Sequence, residues 1–125
     1  MADIPDLTGK WACDPAPMII RGERTTLTYT FTISDLKDGL FTTEMYWSLP
    51  PSGGAQGNQE GVSSFSGKVT VFGAIGWDNR SIEMVAFKDL HRHVGTIVDA
   101  DTIRFIHSEI GDNAWVSRSV CRRAR

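Results

Sequence analysis

Hydrophobic and polar residues alternate along most of this chain with a period of two, which is typical of β-strands. In the segment 26–33 every second residue is apolar and every other residue is threonine. Such a run of β-branched and aromatic residues favours a strand with one packed and one polar face. The pattern predicts strands at about 7–14, 26–34, 40–48, 66–75, 81–87, 91–98, 102–108 and 114–122.

Turn signals separate these segments at Asp35–Gly39, Gly76–Arg80, Asp99–Asp101 and Gly111–Asn113. Most connections have hairpin length, and no segment shows a helical period or an internal repeat. Consecutive antiparallel strands with short links favour an up-and-down meander, and closing eight of them into a barrel removes the exposed edges. We therefore expect an all-β, eight-stranded antiparallel barrel that forms a single domain over residues 1–125.

Two segments interrupt the pattern. Pro15 and Pro17 break any strand there, and 18–20 is a candidate for a short continuation. The second segment, 48–64, is rich in proline and glycine and too long for a hairpin turn. It predicts either a mobile lid or a disordered connection.

The composition argues against two classes of partner, nucleic acids and membranes. The chain carries 13 Lys and Arg against 15 Asp and Glu, so it lacks the basic excess of nucleic-acid-binding proteins, and we interpret Arg122–Arg125 as a solvated end. No signal peptide or run of about 20 apolar residues is present, which predicts a cytoplasmic protein without a membrane partner. Cys13 and Cys121 lie in the first and last predicted strands, where a bridge is possible, but a reducing compartment favours free thiols.

The run Leu7–Trp11 predicts how the barrel ends. Gly9 allows a tight backbone bend, and Trp11 can plug the barrel floor and offer its face to an arginine. The run resembles the first strand of avidins and streptavidins, and Gly-x-Trp with a late arginine is shared by the calycins, which include lipocalins. The resemblance implies a streptavidin-like or lipocalin-like barrel whose closed end holds Trp11 stacked on Arg118 or Arg122. The segments 73–76 and 94–102 are similar to small bacterial proteins of streptavidin-like fold.

The resemblance does not extend to biotin. Avidins hold the biotin ureido oxygen with an Asn two residues after this tryptophan and with a later Ser, where this chain has Cys13 and Pro15–Pro17. Lost hydrogen bonds to a buried ligand cost about 1–3 kcal/mol each, so biotin is not the expected ligand. The loop 48–64 corresponds to the avidin loop that closes over biotin, which implies a site at that end of the barrel.

We expect the barrel to bind a hydrophobic or amphipathic small molecule. The candidate ligand-binding residues are Tyr29, Glu44, Trp47, Trp77, Met84, His93, Phe105 and His107. No Gly-rich phosphate loop or Cys-x-x-Cys pair predicts a cofactor. The alternative is a small cavity enzyme of the isomerase, cyclase or dehydratase type, in which His93 or His107 works with Glu44 or Glu83 as acid and base.

All three histidines lie in one predicted hairpin. If its turn has three residues, His93 faces His107 and His91 faces Glu109 on one side of the sheet, a set that could bind zinc or iron. If the turn has two residues, His107 moves to the other side. We interpret the histidines as surface or hydrogen-bonded residues and predict no metal.

Apolar residues occupy both faces of the strands between about 66 and 108, as in Val71 beside Phe72 and Phe105 beside Ile106. A monomer would expose one of the two sets. Outward apolar strands are typical of subunit interfaces, so we expect a homodimer or homotetramer that associates through the barrel walls, as the avidin resemblance also implies.

Overall fold

A computed structural model describes residues 3–50 and 66–124. This part of the chain contains no helix, and therefore none that could span a membrane. Its strands are β1 (Gly9–Cys13), β2 (Ala16–Ile20), β3 (Glu23–Lys37), β4 (Leu40–Ser48), β5 (Ser66–Ile75), β6 (Ser81–Ala86), β7 (His91–Asp99), β8 (Thr102–Glu109) and β9 (Trp115–Arg123).

The strands form one closed antiparallel sheet. From β3 to β9 each strand pairs with the next along the chain, and β1 and β2 each pair with both β3 and β9. Because β1 and β2 occupy one position between the same two neighbours, the sheet is an eight-stranded up-and-down barrel with a divided first strand. The predicted all-β meander barrel is confirmed.

The division of the first strand follows from a bulge at the prolines. Cys13 pairs with Cys121 and Met18 with Ser117, so five steps along the first strand match four steps along β9. Pro15 lies in this bulge, where its missing N–H removes no ladder hydrogen bond. The bulge therefore divides the first strand into β1 and β2 and shifts its register on β9 by one residue.

The end of the barrel that carries Trp11 is closed by packed side chains. Trp11 is fully buried, and its indole N–H donates to the Leu7 carbonyl oxygen at 2.9 Å. The arginine on its ring is Arg123, with the guanidinium carbon 4.7 Å from the ring centroid. Gly9 has a φ of 124°, which favours glycine, and its backbone lies beside this guanidinium.

The predicted partners Arg118 and Arg122 are therefore wrong, and strand alternation gives the reason. Trp115, Ser117, Ser119 and Cys121 face the interior, and the next inward position is Arg123. Arg118 and Arg122 point outward, where Arg122 forms an exposed ion pair with Asp14 at 3.3 Å.

The expectation of free thiols is also wrong, because Cys13 and Cys121 form a disulfide in the structure. The two residues are direct register partners on β1 and β9, and both side chains point inward. The expectation depended on a cellular compartment, whereas the register brings the two sulfur atoms together.

Candidate binding site in the barrel interior

The barrel interior has an apolar wall and a polar wall. Strands β3 to β6 contribute mainly apolar buried side chains, and strands β7 to β9 contribute most of the polar ones. The apolar set includes Leu27, Phe31, Met45, Val71 and Met84, and the polar set is His91, His93, His107, Ser117 and Ser119. The exceptions are the apolar Ile97, Ile103 and Phe105 on β7 and β8 and the polar Tyr29 and Thr43 on β3 and β4. Phe105 and Tyr29 pack against His107 with ring centroids at 5.3 Å and 4.7 Å.

A bulge in the β7–β8 hairpin determines which face the histidines occupy. Asp99 pairs with Thr102, so the turn itself contains two residues, yet the register shifts between Asp99 and Ile97. This shift restores the pairing expected for a three-residue turn: His93 faces His107, and His91 faces Glu109. All three imidazoles consequently point into the barrel.

The histidines form a continuous hydrogen-bonded chain. His91 Nδ1 lies 2.9 Å from His93 Nε2, and His93 Nδ1 lies 2.5 Å from His107 Nδ1. His107 Nε2 lies 2.5 Å from the Tyr29 hydroxyl and 2.7 Å from Ser119 Oγ. A neutral imidazole has one donor and one acceptor nitrogen, so every link can form without a charged ring.

Further polar groups lie near both ends of this series of hydrogen bonds. At the barrel end that carries His91, the Asp89 carboxylate lies 3.6 Å from His91 Nε2. At the inner end, the Tyr29 hydroxyl lies 2.7 Å from Ser119 Oγ and 3.0 Å from Cys121 Sγ. The series of polar contacts thus extends from a half-exposed carboxylate to the buried disulfide.

Burial keeps the histidines neutral. Desolvation lowers the pKa of His107 to about 3 and that of His93 well below its usual range, and repulsion from neighbouring imidazoles acts in the same direction. Burial also lowers the pKa of His91, where the nearby carboxylates of Asp89 and Glu109 oppose the shift. Burial raises the pKa of the Tyr29 hydroxyl, which stays protonated.

Two tryptophans frame the interior at the His91 end. Trp47 lies against Gly67 so closely that a Cβ there would sit 2.8 Å from the indole. The Trp115 indole N–H donates to Glu109 at 2.9 Å, and its ring lies 6.0 Å from that of His91. Both indoles are half-buried, whereas Trp11, Ile82 and Ile103 at the other end are almost completely buried, and Ile75 and Arg123 are partly exposed among the inward residues described there. The His91 end is therefore the more accessible one.

Six of the eight predicted ligand-binding residues face the interior, and two do not. The six are Tyr29, Trp47, Met84, His93, Phe105 and His107. Glu44 lies on the outer side of β4, where it accepts a hydrogen bond from Thr70 at 3.0 Å. Trp77 is fully exposed in the turn between β5 and β6, at the Trp11 end. Glu83, the other predicted acid–base partner, pairs with Arg92 outside the barrel at 3.1 Å.

The alternation of side chains along each strand explains why Glu44 and Trp77 do not face the interior. Inward residues of β4 have odd numbers, which excludes Glu44, and a turn residue such as Trp77 belongs to neither face. Ser119 and the disulfide were not among the predicted site residues. Alternation from Trp115 along β9 would have placed Ser119 inward, but no sequence signal joined it to Tyr29 on a strand 90 residues away.

The described residues contain no group of three or more histidine, cysteine, aspartate or glutamate side chains arranged to hold a metal ion. The imidazole nitrogens of the cluster are instead hydrogen-bonded to one another. The predicted lid at 48–64 lies outside the described residues from position 51 onward.

Comparisons with known proteins bear on the fold. No protein-family model and no curated protein matches this chain. Among solved structures, it is similar to the S-type phycobiliprotein lyase CPES from Guillardia theta, with a TM-score of 0.50 and 10% sequence identity over 94% of this chain and 88% of the other. At this identity the likeness shows the barrel fold alone, and the calycin relationship stays a prediction.

Proposed function

We propose that the barrel binds an amphipathic small molecule from its His91 end. The observation that carries this proposal is the division of the interior into an apolar and a polar wall. Burying a polar group costs free energy unless it is hydrogen-bonded, and His93 and His107 meet this requirement through each other, His91, Tyr29 and Ser119. His91 Nε2, which has only the Asp89 carboxylate near it at 3.6 Å, is the ring nitrogen that would meet the polar side of a ligand whose other side is apolar.

The half-buried tryptophans support entry at this end. Trp47 and Trp115 would contact the apolar part of the ligand, and His91 is the first imidazole that its polar part would meet. Cationic side chains are absent from the inner face of the described strands apart from Arg123 at the opposite end. Recognition would therefore depend on hydrogen bonds and stacking.

The structural neighbour suggests the first ligand to test, because its name links such a barrel to phycobiliproteins. Biliverdin, an open-chain tetrapyrrole, has the required amphipathic chemistry and absorbs visible light. Titration should give saturable binding with a shifted absorption band. Trp47→Ala should weaken it about tenfold or more, because an aromatic contact contributes roughly 1–3 kcal/mol at a binding surface.

Trp77→Ala is the matched control, since this side chain is fully exposed at the Trp11 end and should leave the affinity unchanged. Native mass spectrometry of the purified protein extends the test to other ligands. The proposal fails if the protein carries no organic ligand and binds neither biliverdin nor a panel of amphipathic lipids. Equal effects of the two tryptophan substitutions would reject the proposed position of the site.

A second candidate function is acid–base catalysis on a bound ligand. It is favoured by the hydrogen bonds between His93, His107 and Tyr29, through which a proton can shift between neutral groups. Glu44 and Glu83 take no part. A ligand with a carbonyl group should exchange its α-hydrogen for deuterium in D₂O in the presence of the protein. Loss of this exchange in His107→Gln would support catalysis, and its absence in the wild type would leave binding alone.

We also propose that the barrel self-associates through the outer face of β5 to β8. Val71, Ile103 and Phe105 point inward, but Phe72, Val85, Val94 and Ile106 on the strands, and Phe87 in the turn after β6, are each at least 42% exposed. Light scattering should detect a dimer or tetramer at micromolar concentration, and Ile106→Glu should dissociate it by placing a charge in the interface. A wild-type mass of 13.8 kDa would reject this proposal.

A further inference from the structure

We propose that the Cys13–Cys121 disulfide is a thiol–disulfide exchange site, in which the chain from His91 to Tyr29 delivers a proton to the departing Cys121 sulfur. The disulfide is the inner end of a continuous polar path inside the described part of the barrel, which reaches Cys121 Sγ through the Tyr29 hydroxyl at 3.0 Å and, by a longer branch, through Ser119 Oγ at 3.8 Å. A structural cross-link needs no such path. A buried sulfur that is released as a thiolate does need a polar path, because it must take up a proton away from solvent.

The two sulfur atoms have different surroundings. Cys121 is fully buried, and the Tyr29 hydroxyl lies 3.0 Å from its sulfur. Cys13 is 8% exposed and ends β1, next to the bulge that divides the first strand. Exchange is faster when the departing thiolate is stabilised. Attack at Cys13 with departure of Cys121 is therefore the favoured direction.

The polar path can carry one proton inward. When each imidazole donates toward the next, His91 donates to His93, His93 to His107, His107 to Tyr29, and the Tyr29 hydroxyl to Cys121 Sγ. After each proton moves one link, every ring is again neutral and donates in the opposite direction. Net transfer takes one proton from solvent at His91 and leaves one on Cys121.

The reaction partner is a dithiol reductant. One of its thiolates attacks Cys13 Sγ, the S–S bond breaks, and the electron pair leaves on Cys121 Sγ, which takes the Tyr29 proton. The second reductant thiolate then attacks the mixed disulfide and releases Cys13, which is protonated by solvent. The protein disulfide is reduced to two thiols and the dithiol is oxidised to a disulfide. The two protons lost by the dithiol equal the two gained by the cysteines.

Tyr29→Phe tests the proton donor, and Tyr46→Phe is its matched control because Tyr46 lies on the outer face. Reduction by dithiothreitol at constant pH is monitored by alkylating the released thiols and measuring the mass of the protein by mass spectrometry. Tyr29→Phe should slow reduction of the folded protein about tenfold or more, since the departing sulfur then loses its nearer donor and keeps only the Ser119 hydroxyl, 3.8 Å away. Tyr46→Phe should react like the wild type.

Unfolding also exposes a disulfide to the reductant. Each reduction rate is therefore measured at several low urea concentrations, and the part of the rate that does not depend on urea, which reports the folded protein, is compared between wild type and variants. The proposal is overturned if this part is absent in the wild type, or if it is equal or larger in Tyr29→Phe. A second readout needs no substitution: limiting glutathione should form its mixed disulfide on Cys13. Peptide mapping that finds the adduct on Cys121, or equally on both cysteines, would also overturn it.

Discussion

Acidification should destabilise the protein before its carboxylates titrate, because His93 and His107 are buried as neutral rings. In the unfolded chain these histidines regain a pKa near 6.5, whereas in the folded protein burial lowers the pKa of His107 to about 3 and that of His93 well below its usual range. Between these values the unfolded chain binds protons that the folded protein does not. The free energy of unfolding is therefore greatest above about pH 6.5 and decreases as the pH falls.

The magnitude follows from linkage. Each such histidine reduces the free energy of unfolding by about 1.4 kcal/mol per pH unit, so one histidine contributes about 2 kcal/mol between pH 6.5 and 5. The two histidines together give about 4 kcal/mol, which is a large part of the 5–15 kcal/mol typical of a domain. His91, nearer the surface and beside two carboxylates, adds less.

Urea unfolding followed by circular dichroism at about pH 7.5, 6.5, 5.5 and 5 measures this dependence. His107→Gln removes one titrating group, so its free energy of unfolding should change with pH about half as much as that of the wild type, whatever its stability at pH 7.5. A wild-type change below about 1 kcal/mol between pH 7.5 and 5 would refute the reasoning. So would an undiminished pH dependence in His107→Gln.

Two further predictions concern the packing of the barrel. Arg123→Ala should lower stability by about 2–4 kcal/mol in urea unfolding, because the guanidinium covers Trp11 and donates to backbone carbonyls, whereas Arg122→Ala should cost under about 1 kcal/mol. Equal costs would contradict the assignment of Arg123 as the closing residue. Gly73→Ala should cost about 1–3 kcal/mol, since a Cβ there runs into the buried Phe41 ring, and a thermal scan showing no loss would reject that contact.

Much of the fold could be predicted because strand alternation is local. The apolar residues of 26–33 predicted a strand that the structure extends to Glu23–Lys37, and its inner face holds Tyr29 and Phe31. The arginine that stacks on Trp11 was predicted wrongly, although strand alternation also applies to β9 and places Arg123 next after Cys121 on the inner face. That error came from following the family resemblance where alternation along β9 was the better guide.

The candidate site was harder to predict because it depends on single-residue shifts. Counting residues in the β7–β8 turn could not reveal the bulge between Ile97 and Asp99 that directs His107 inward. The contact between Tyr29 and Cys121 joins residues 92 positions apart, and no local pattern encodes it.

The sequence by itself determined the all-β class, the approximate strands and the meander order, because side-chain alternation and short turns act between near neighbours in the chain. The tertiary structure decided which residues meet inside the barrel. Closure sets β1 against β9, which pairs Cys13 with Cys121 and brings Arg123 onto Trp11. A bulge of one residue moves a whole strand face from solvent to core, and so the polar wall of histidines exists only once the register is fixed.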